Sequence, residues 1–141
     1  IEASENPVIV YSTFTNSLLK ISDYLEKEKV SYLIVNGSVS GKSRLQAFDA
    51  LQRGDIKVLL AHPQAMSHGI TLTTSNTVIW FNTTYSQEIY EQANGRVTRP
   101  GQKNKTYIGH LVCSSLEKKI LKRLDAKQSL QGVLLEYLQN N

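Results

Sequence analysis

The chain has 141 residues, enough for one domain with a real hydrophobic core. Its 16 Lys+Arg against 12 Asp+Glu leave a formal charge of +4, compatible with a polyanionic partner but equally with an ordinary solvated surface. A single cysteine, Cys113, sits in an apolar run; it excludes a disulfide framework and a cysteine-rich zinc site, and reads as a small buried residue.

Residues 1–6 are polar and end at Pro7, so they read as the remnant of a linker. Short, β-rich, nearly continuous apolar runs follow at 8–11, 32–35, 58–61, 78–81 and 107–112. Such runs predict strands buried on both faces of a parallel sheet. Leu18, Ile21 and Leu25 mark a first helix; Leu45, Phe48 and Leu51 mark a second, with Ser40 as N-cap and Gly54 just past its end. Thr84-x-x-Gln87 reads as a capping box for a third helix. Ser114-x-x-Glu117 reads as one for a fourth, with Ile120, Leu121 and Leu124 on one side. Leu130, Val133, Leu134 and Leu138 suggest one more. Strands alternating with helices predict right-handed βαβ crossovers and a three-layer α/β fold, a mostly parallel central sheet flanked by helices. Ligands in such sheets sit at the carboxyl ends of the strands.

The stretch with the most chemistry is Gln92-Ala93-Asn94-Gly95-Arg96-Val97-Thr98-Arg99-Pro100-Gly101-Gln102. If it is helical up to the proline, Gln92, Arg96 and Arg99 share one face, since they fall at i, i+4 and i+7. Pro100 disfavours α geometry at Arg99, and Gly101 lets the chain turn away. Planar, always-charged forks arranged this way suit phosphate oxygens.

Two other constellations carry less. Gly37-Ser38-Val39-Ser40-Gly41-Lys42-Ser43 follows a strand and opens a helix as a phosphate-binding P-loop would, but the loop is one residue short, with Asn36 where the first glycine should be. His62 and His68 have no carboxylate or cysteine near them in sequence to complete a metal site. At the end of the first strand, Ser12 and Thr13 can donate to phosphate oxygens, while Thr13 or Thr15 can equally cap the helix that follows. Trp80 reads as a core residue rather than a base-stacking one.

Gln-x-x-Gly-Arg-x-x-Arg-x-Gly-Gln resembles the last conserved motif of superfamily-two helicases and translocases, and the trailing Gly101-Gln102 is similar to the Swi/Snf-type branch. The resemblance runs from about Pro7, by way of Gly37, Arg44 and Phe48 and of Ser115-Leu116-Glu117-Lys118-Lys119-Ile120, to about Lys127. It implies a RecA-like second motor lobe over residues 7–113, with a C-terminal helical extension over 114–141 packed on it. It also implies that Arg96 and Arg99 face ATP, Arg99 as arginine finger. Gln92, Gly69, Thr71 and Asn82 occupy nucleotide-side positions, and Ser12, Thr13, Gly37, His62 and Gln64 lie along a nucleic-acid track. Met66-Ser67 replaces the family's paired glycines, Thr71 an asparagine and Asn82 a carboxylate.

The sequence contains no Walker A motif and no Asp-Glu-x-His-type string, so ATP and Mg²⁺ are expected to be held mainly by a first RecA-like lobe in the parent polypeptide. A start at Ile1 instead of methionine fits an excised piece of that kind. The expected partners are that lobe and nucleic acid, double-stranded DNA foremost, with no membrane. The expected location is the cytoplasm or the nucleus, and the lack of large insertions suggests a minimal motor of phage or bacterial type. Two other readings stay open: a stand-alone basic α/β nucleic-acid-binding module, and a docking domain with decayed motifs.

Overall fold

Val8, Ile9, Val10 and Tyr11 are all buried, and a strand with apolar side chains on both faces must be covered on both. In the computed structural model, which describes residues 5–66 and 70–125, these four residues form the central strand. The elements run β1 (Val8–Tyr11), α1 (Thr15–Lys27), β2 (Tyr32–Val35), α2 (Gly41–Arg53), β3 (Val58–Ala61), a 3₁₀ turn (Pro63–Met66), β4 (Thr77–Trp80), α3 (Gln87–Asn94), β5 (Tyr107–His110) and α4 (Ser115–Asp125). The sheet order is β2-β3-β1-β4-β5, and every pairing is parallel. Tyr11 pairs in register with Ala61 on one side and Trp80 on the other, so residues 12, 62 and 81 emerge side by side at the carboxyl edge.

Two apolar layers hold this sheet. On one face Ile9, Tyr11, Leu59, Ala61, Val78 and Trp80 pack with Phe48 and Leu51 of α2, Tyr90 and Ala93 of α3, and Ile120 and Leu124 of α4. On the other, Val8, Val10, Val58 and Leu60 meet Leu18 and Leu25 of α1. The Ser40 hydroxyl accepts from the Ser43 amide at 3.2 Å, and Gly54 closes α2 in the left-handed region at φ 78°, as a C-terminal glycine does. No described helix is long and apolar enough to cross a membrane.

Several local expectations fail for identifiable reasons. Leu45 is 61 % exposed: it lies about 120° round the helix from Leu51, and Ala47 fills the buried stripe instead. The run at 107–112 is a four-residue edge strand, not one buried on both faces. Tyr107 and Ile108 are exposed, pairing ends at His110, and Cys113 lies in the exposed connection to α4. Ser86, not Thr84, caps α3, accepting from the Ile89 amide at 3.2 Å, while Thr84 Oγ1 accepts from the Ser86 amide. Neither Thr13 nor Thr15 caps α1. Its N-cap position is Phe14, without a side-chain bond, and Ser12 Oγ accepts the Phe14 amide instead. At α4 the Ser114 hydroxyl does accept from the Glu117 amide. The suggested helix at 130–138 lies outside the described residues.

Candidate functional site

The arginine stretch departs from the single helix face read in the sequence. α3 stops at Asn94, because the ladder loosens there: Gly95 donates to the Glu91 carbonyl at 2.9 Å, but the Arg96 amide reaches Ala93 only at 3.4 Å and the Val97 amide reaches Asn94 at 3.2 Å. Thr98 competes as well, its Oγ1 donating to the Asn94 carbonyl at 3.1 Å. With Pro100 disfavouring helix at the residue before it, the segment 95–100 becomes a run of turns. Gly101 then takes φ 98°, where an L side chain would be strained.

This turn segment is tied down from outside. The Gln102 amide nitrogen donates to the Ser75 and Val97 carbonyls, both at 2.8 Å, and the Leu72 amide donates to the Arg96 carbonyl at 2.9 Å. Arg96 is thereby drawn inward to 4 % exposure, with Nε lacking a hydrogen-bond partner among the described residues. Burial, then the like charge of Arg99, lowers its pKa below the ordinary guanidinium value; Tyr11 acts in the opposite direction. It stays cationic at neutral pH. Arg99 is half-exposed and donates from Nη1 to Thr71 Oγ1 at 3.0 Å. The structure thus joins Arg96, Arg99 and Thr71. Gln92 is held apart, donating to Glu88 Oε1 at 3.2 Å one turn back. Gly69 lies outside the described residues.

A second group gathers at the carboxyl ends of β3, β1 and β4. Ser12 is buried, and its Oγ donates in a short contact to Asn82 Oδ1. The His62 ring takes the Gln64 amide on Nδ1 at 3.1 Å and meets the Thr13 backbone; burial lowers its pKa. Gln64 is exposed. The His62 amide donates to the Val35 carbonyl at 2.9 Å, which brings the end of β2 alongside, and Gly37 is exposed just beyond with nothing within 4 Å of its Cβ position. Asn82 therefore belongs with Ser12 rather than with the arginines.

Three residues in this region carried no functional signal in the sequence. Tyr11 Oη donates to the Ala93 carbonyl at 2.8 Å, Trp80 Nε1 donates to Asn94 Oδ1 at 2.9 Å, and Tyr90 Oη bridges His110 Nε2 at 2.8 Å and Asp125 Oδ1 at 3.2 Å. Each links side chains far apart in the chain or turned inward, and no local spacing rule announces such a bond.

The described lobe is thus a parallel α/β sheet with one buried and one half-exposed arginine in the turn that follows α3. Residues 1–101 match the helicase conserved C-terminal domain, and the chain belongs to that family. Within it, the chain resembles the Swi/Snf-type ATPases. It is 29 % identical over 130 residues to the human chromatin-remodeling ATPase INO80, covering 91 % of this chain and 8 % of that protein. It is 31 % identical over 136 residues to a DNA repair and recombination protein RAD54-like of Drosophila grimshawi, covering 94 % and 17 %. Among solved structures, the C-terminal part of the Fun30 ATPase domain superposes with a TM-score of 0.76 at 27 % identity, over 84 % of this chain and 39 % of that one. The chain thus spans less than a fifth of the length of these curated relatives. The RecA-like α/β fold and the helicase C-terminal identity expected from the sequence are both met.

Proposed function

We propose that this chain is the second motor lobe of an ATP-dependent DNA translocase, presenting Arg96 and Arg99 to ATP held mainly by a first lobe of the parent polypeptide. The observation that carries this is Arg96: a buried cation, with Nε unpartnered among the described residues and a second cation beside it. Burying an unpaired charge is costly, and a like charge nearby adds to the cost; both are offset when a polyanion arrives. Nucleotide phosphate oxygens fit, since they accept the forked donors of two guanidinium groups.

ATP when bound supplies the phosphoryl group to be transferred; the chain's own residues neutralise charge on it. Arg96 is fixed in depth by its burial, while Arg99, half-exposed and bonded to Thr71, is assigned the reach to a nucleotide carried by another lobe. Mg²⁺ is assigned to the first lobe and charge stabilisation to this one.

Thr13, His62 and Gln64, with Gly37 beside them, form the row assigned to nucleic acid, while Ser12, buried and bonded to Asn82 and the Phe14 amide, braces that edge from below. A hydroxyl, an imidazole and an open turn favour contacts to the phosphate backbone over base reading. The relatives' roles in DNA repair and chromatin remodelling favour DNA, and the duplex form is the substrate proposed here. The purified 141-residue chain is expected to show no ATP turnover above background with MgATP and DNA, whereas the full-length protein turns over when DNA is added. Metal-dependent turnover by the chain alone overturns this reading and restores Gly41-Lys42-Ser43 as a phosphate loop, whereas a full-length protein that binds DNA without turning over ATP favours a binding module.

A further inference from the structure

We infer that Tyr11, with Trp80 acting through Asn94, is a positioning residue that sets where Arg96 stands. This rests on the assignment of Arg96 to the nucleotide. The last carbonyls of a helix have no partner within it. In α3 the Ala93 carbonyl is approached by the Arg96 amide only at 3.4 Å, and its short bond, 2.8 Å, comes from the Tyr11 hydroxyl. Tyr11 therefore shares the Ala93 carbonyl with the Arg96 amide and holds the shorter of the two bonds, fixing the acceptor from which Arg96 departs. The next residue is held in the same way: Asn94 Oδ1 accepts from the Trp80 indole at 2.9 Å, while its own carbonyl receives the Val97 and Thr98 amides and the Thr98 hydroxyl.

Both donors are themselves immobile. Tyr11 and Trp80 lie on the paired strands β1 and β4, are 0 % and 1 % exposed, and their rings are 4.8 Å apart. The stack continues to Tyr90 at 5.1 Å and to His110 at 5.7 Å, so aromatic rings from β1, β4, α3 and β5 form one rigid row under the helix end. Burial raises the Tyr11 pKa well above the usual phenol value, with Arg96 opposing, so the hydroxyl keeps its proton and remains a donor. The final two residues of α3 are thus held by sheet side chains, one residue short of the buried arginine.

Tyr11→Phe removes one oxygen and keeps the ring. In the full-length protein it is expected to lower DNA-stimulated kcat by on the order of tenfold or more, the scale of a small misplacement of a reacting group. KM for ATP and DNA affinity should stay close to the parent values, while the melting midpoint falls modestly through the loss of one buried hydrogen bond. Asn94→Ala, which leaves the indole N–H without its acceptor, should lower kcat in the same direction. The decisive measurement is each change again in an Arg96→Ala background: there neither should slow turnover further, because both act through Arg96. Equal slowing in the two backgrounds would make these residues merely structural and overturn the inference. A parent-like kcat for Tyr11→Phe, with Arg96→Ala collapsed, would overturn the inference alone. A parent-like kcat for Arg96→Ala would instead remove the functional reading on which it rests.

Discussion

The turn between β2 and α2 and the segment after α3 both place glycines and a cation at a helix end, yet they are built in opposite ways. The first is held by its own residues: Asn36 Oδ1 accepts from the Ser38 amide at 2.9 Å and hydroxyl at 2.6 Å, Gly37 and Gly41 have open space around them, and Lys42 is exposed. The second is held by the rest of the molecule, through Gln102 on Ser75, Leu72 on Arg96, and Tyr11 and Trp80 on the helix end. A self-contained turn can be lost without consequence elsewhere. A segment anchored from four places must keep a particular position, and that separates a buried arginine from a solvated lysine better than the local string does.

The difference is sharpest at Arg99. In the full-length protein Arg99→Ala should leave the fold and DNA binding nearly intact, and lower DNA-stimulated ATPase by about 10³- to 10⁵-fold, the range found for arginine fingers. Arg99→Lys should recover little, since a point charge does not reproduce the fork. Turnover near the parent rate would reduce the segment to a basic surface.

Gln102→Ala tests the anchoring itself. It releases the Ser75 and Val97 carbonyls and should cost about 1–3 kcal/mol in chemical denaturation, with kcat falling alongside. Unchanged stability would mean that the two bonds are idle.

A smaller effect is expected from pH. Burial lowers the His110 pKa while Asp125 opposes, so the native state holds fewer protons than the unfolded one, whose histidine titrates near pH 6.5. The stability is complete above that value and is lost as the pH falls below it. Melting midpoints taken between about pH 7.5 and about pH 5.5 should therefore drop, and His110→Gln should flatten the slope, leaving the share from His62, whose pKa is lowered too. A slope that His110→Gln leaves unaltered would detach His110 from this account. The smallest effect belongs to the first turn: Lys42→Ala should change stability by no more than about 0.5 kcal/mol and leave turnover alone. Loss of ATPase there would restore the P-loop reading.

Strands β1, β3 and β4 were legible because central strands of a parallel sheet must be apolar on both faces. β2 and β5 were misread as buried on both faces, though Leu33 and Tyr107 are exposed, because nothing in an apolar run reveals that it is an edge; the order of strands decides that. Leu45 was placed on the wrong face by taking one apolar residue too many into a stripe already completed by Ala47, Phe48 and Leu51. Arg96 and Arg99 could be singled out from the motif they share, whereas their burial and exposure follow from where α3 ends. That end depends on Tyr11 meeting Ala93 across 82 residues of chain, which no pattern within a window can report.

The central position of β1 also governs the order in which this domain can fold. Val8 must wait for Val58 on one side and Thr77 on the other, so the earliest of the described strands to be synthesised is satisfied only when most of the lobe exists. Such non-local pairing slows folding. At ribosomal speeds of about 5–20 residues per second, an apolar Val-Ile-Val-Tyr segment stands unpaired for several seconds, an invitation to association with other chains. The arginine segment follows Thr77 almost at once, and its anchors on Tyr11 and Trp80 become available in the same step that completes β1.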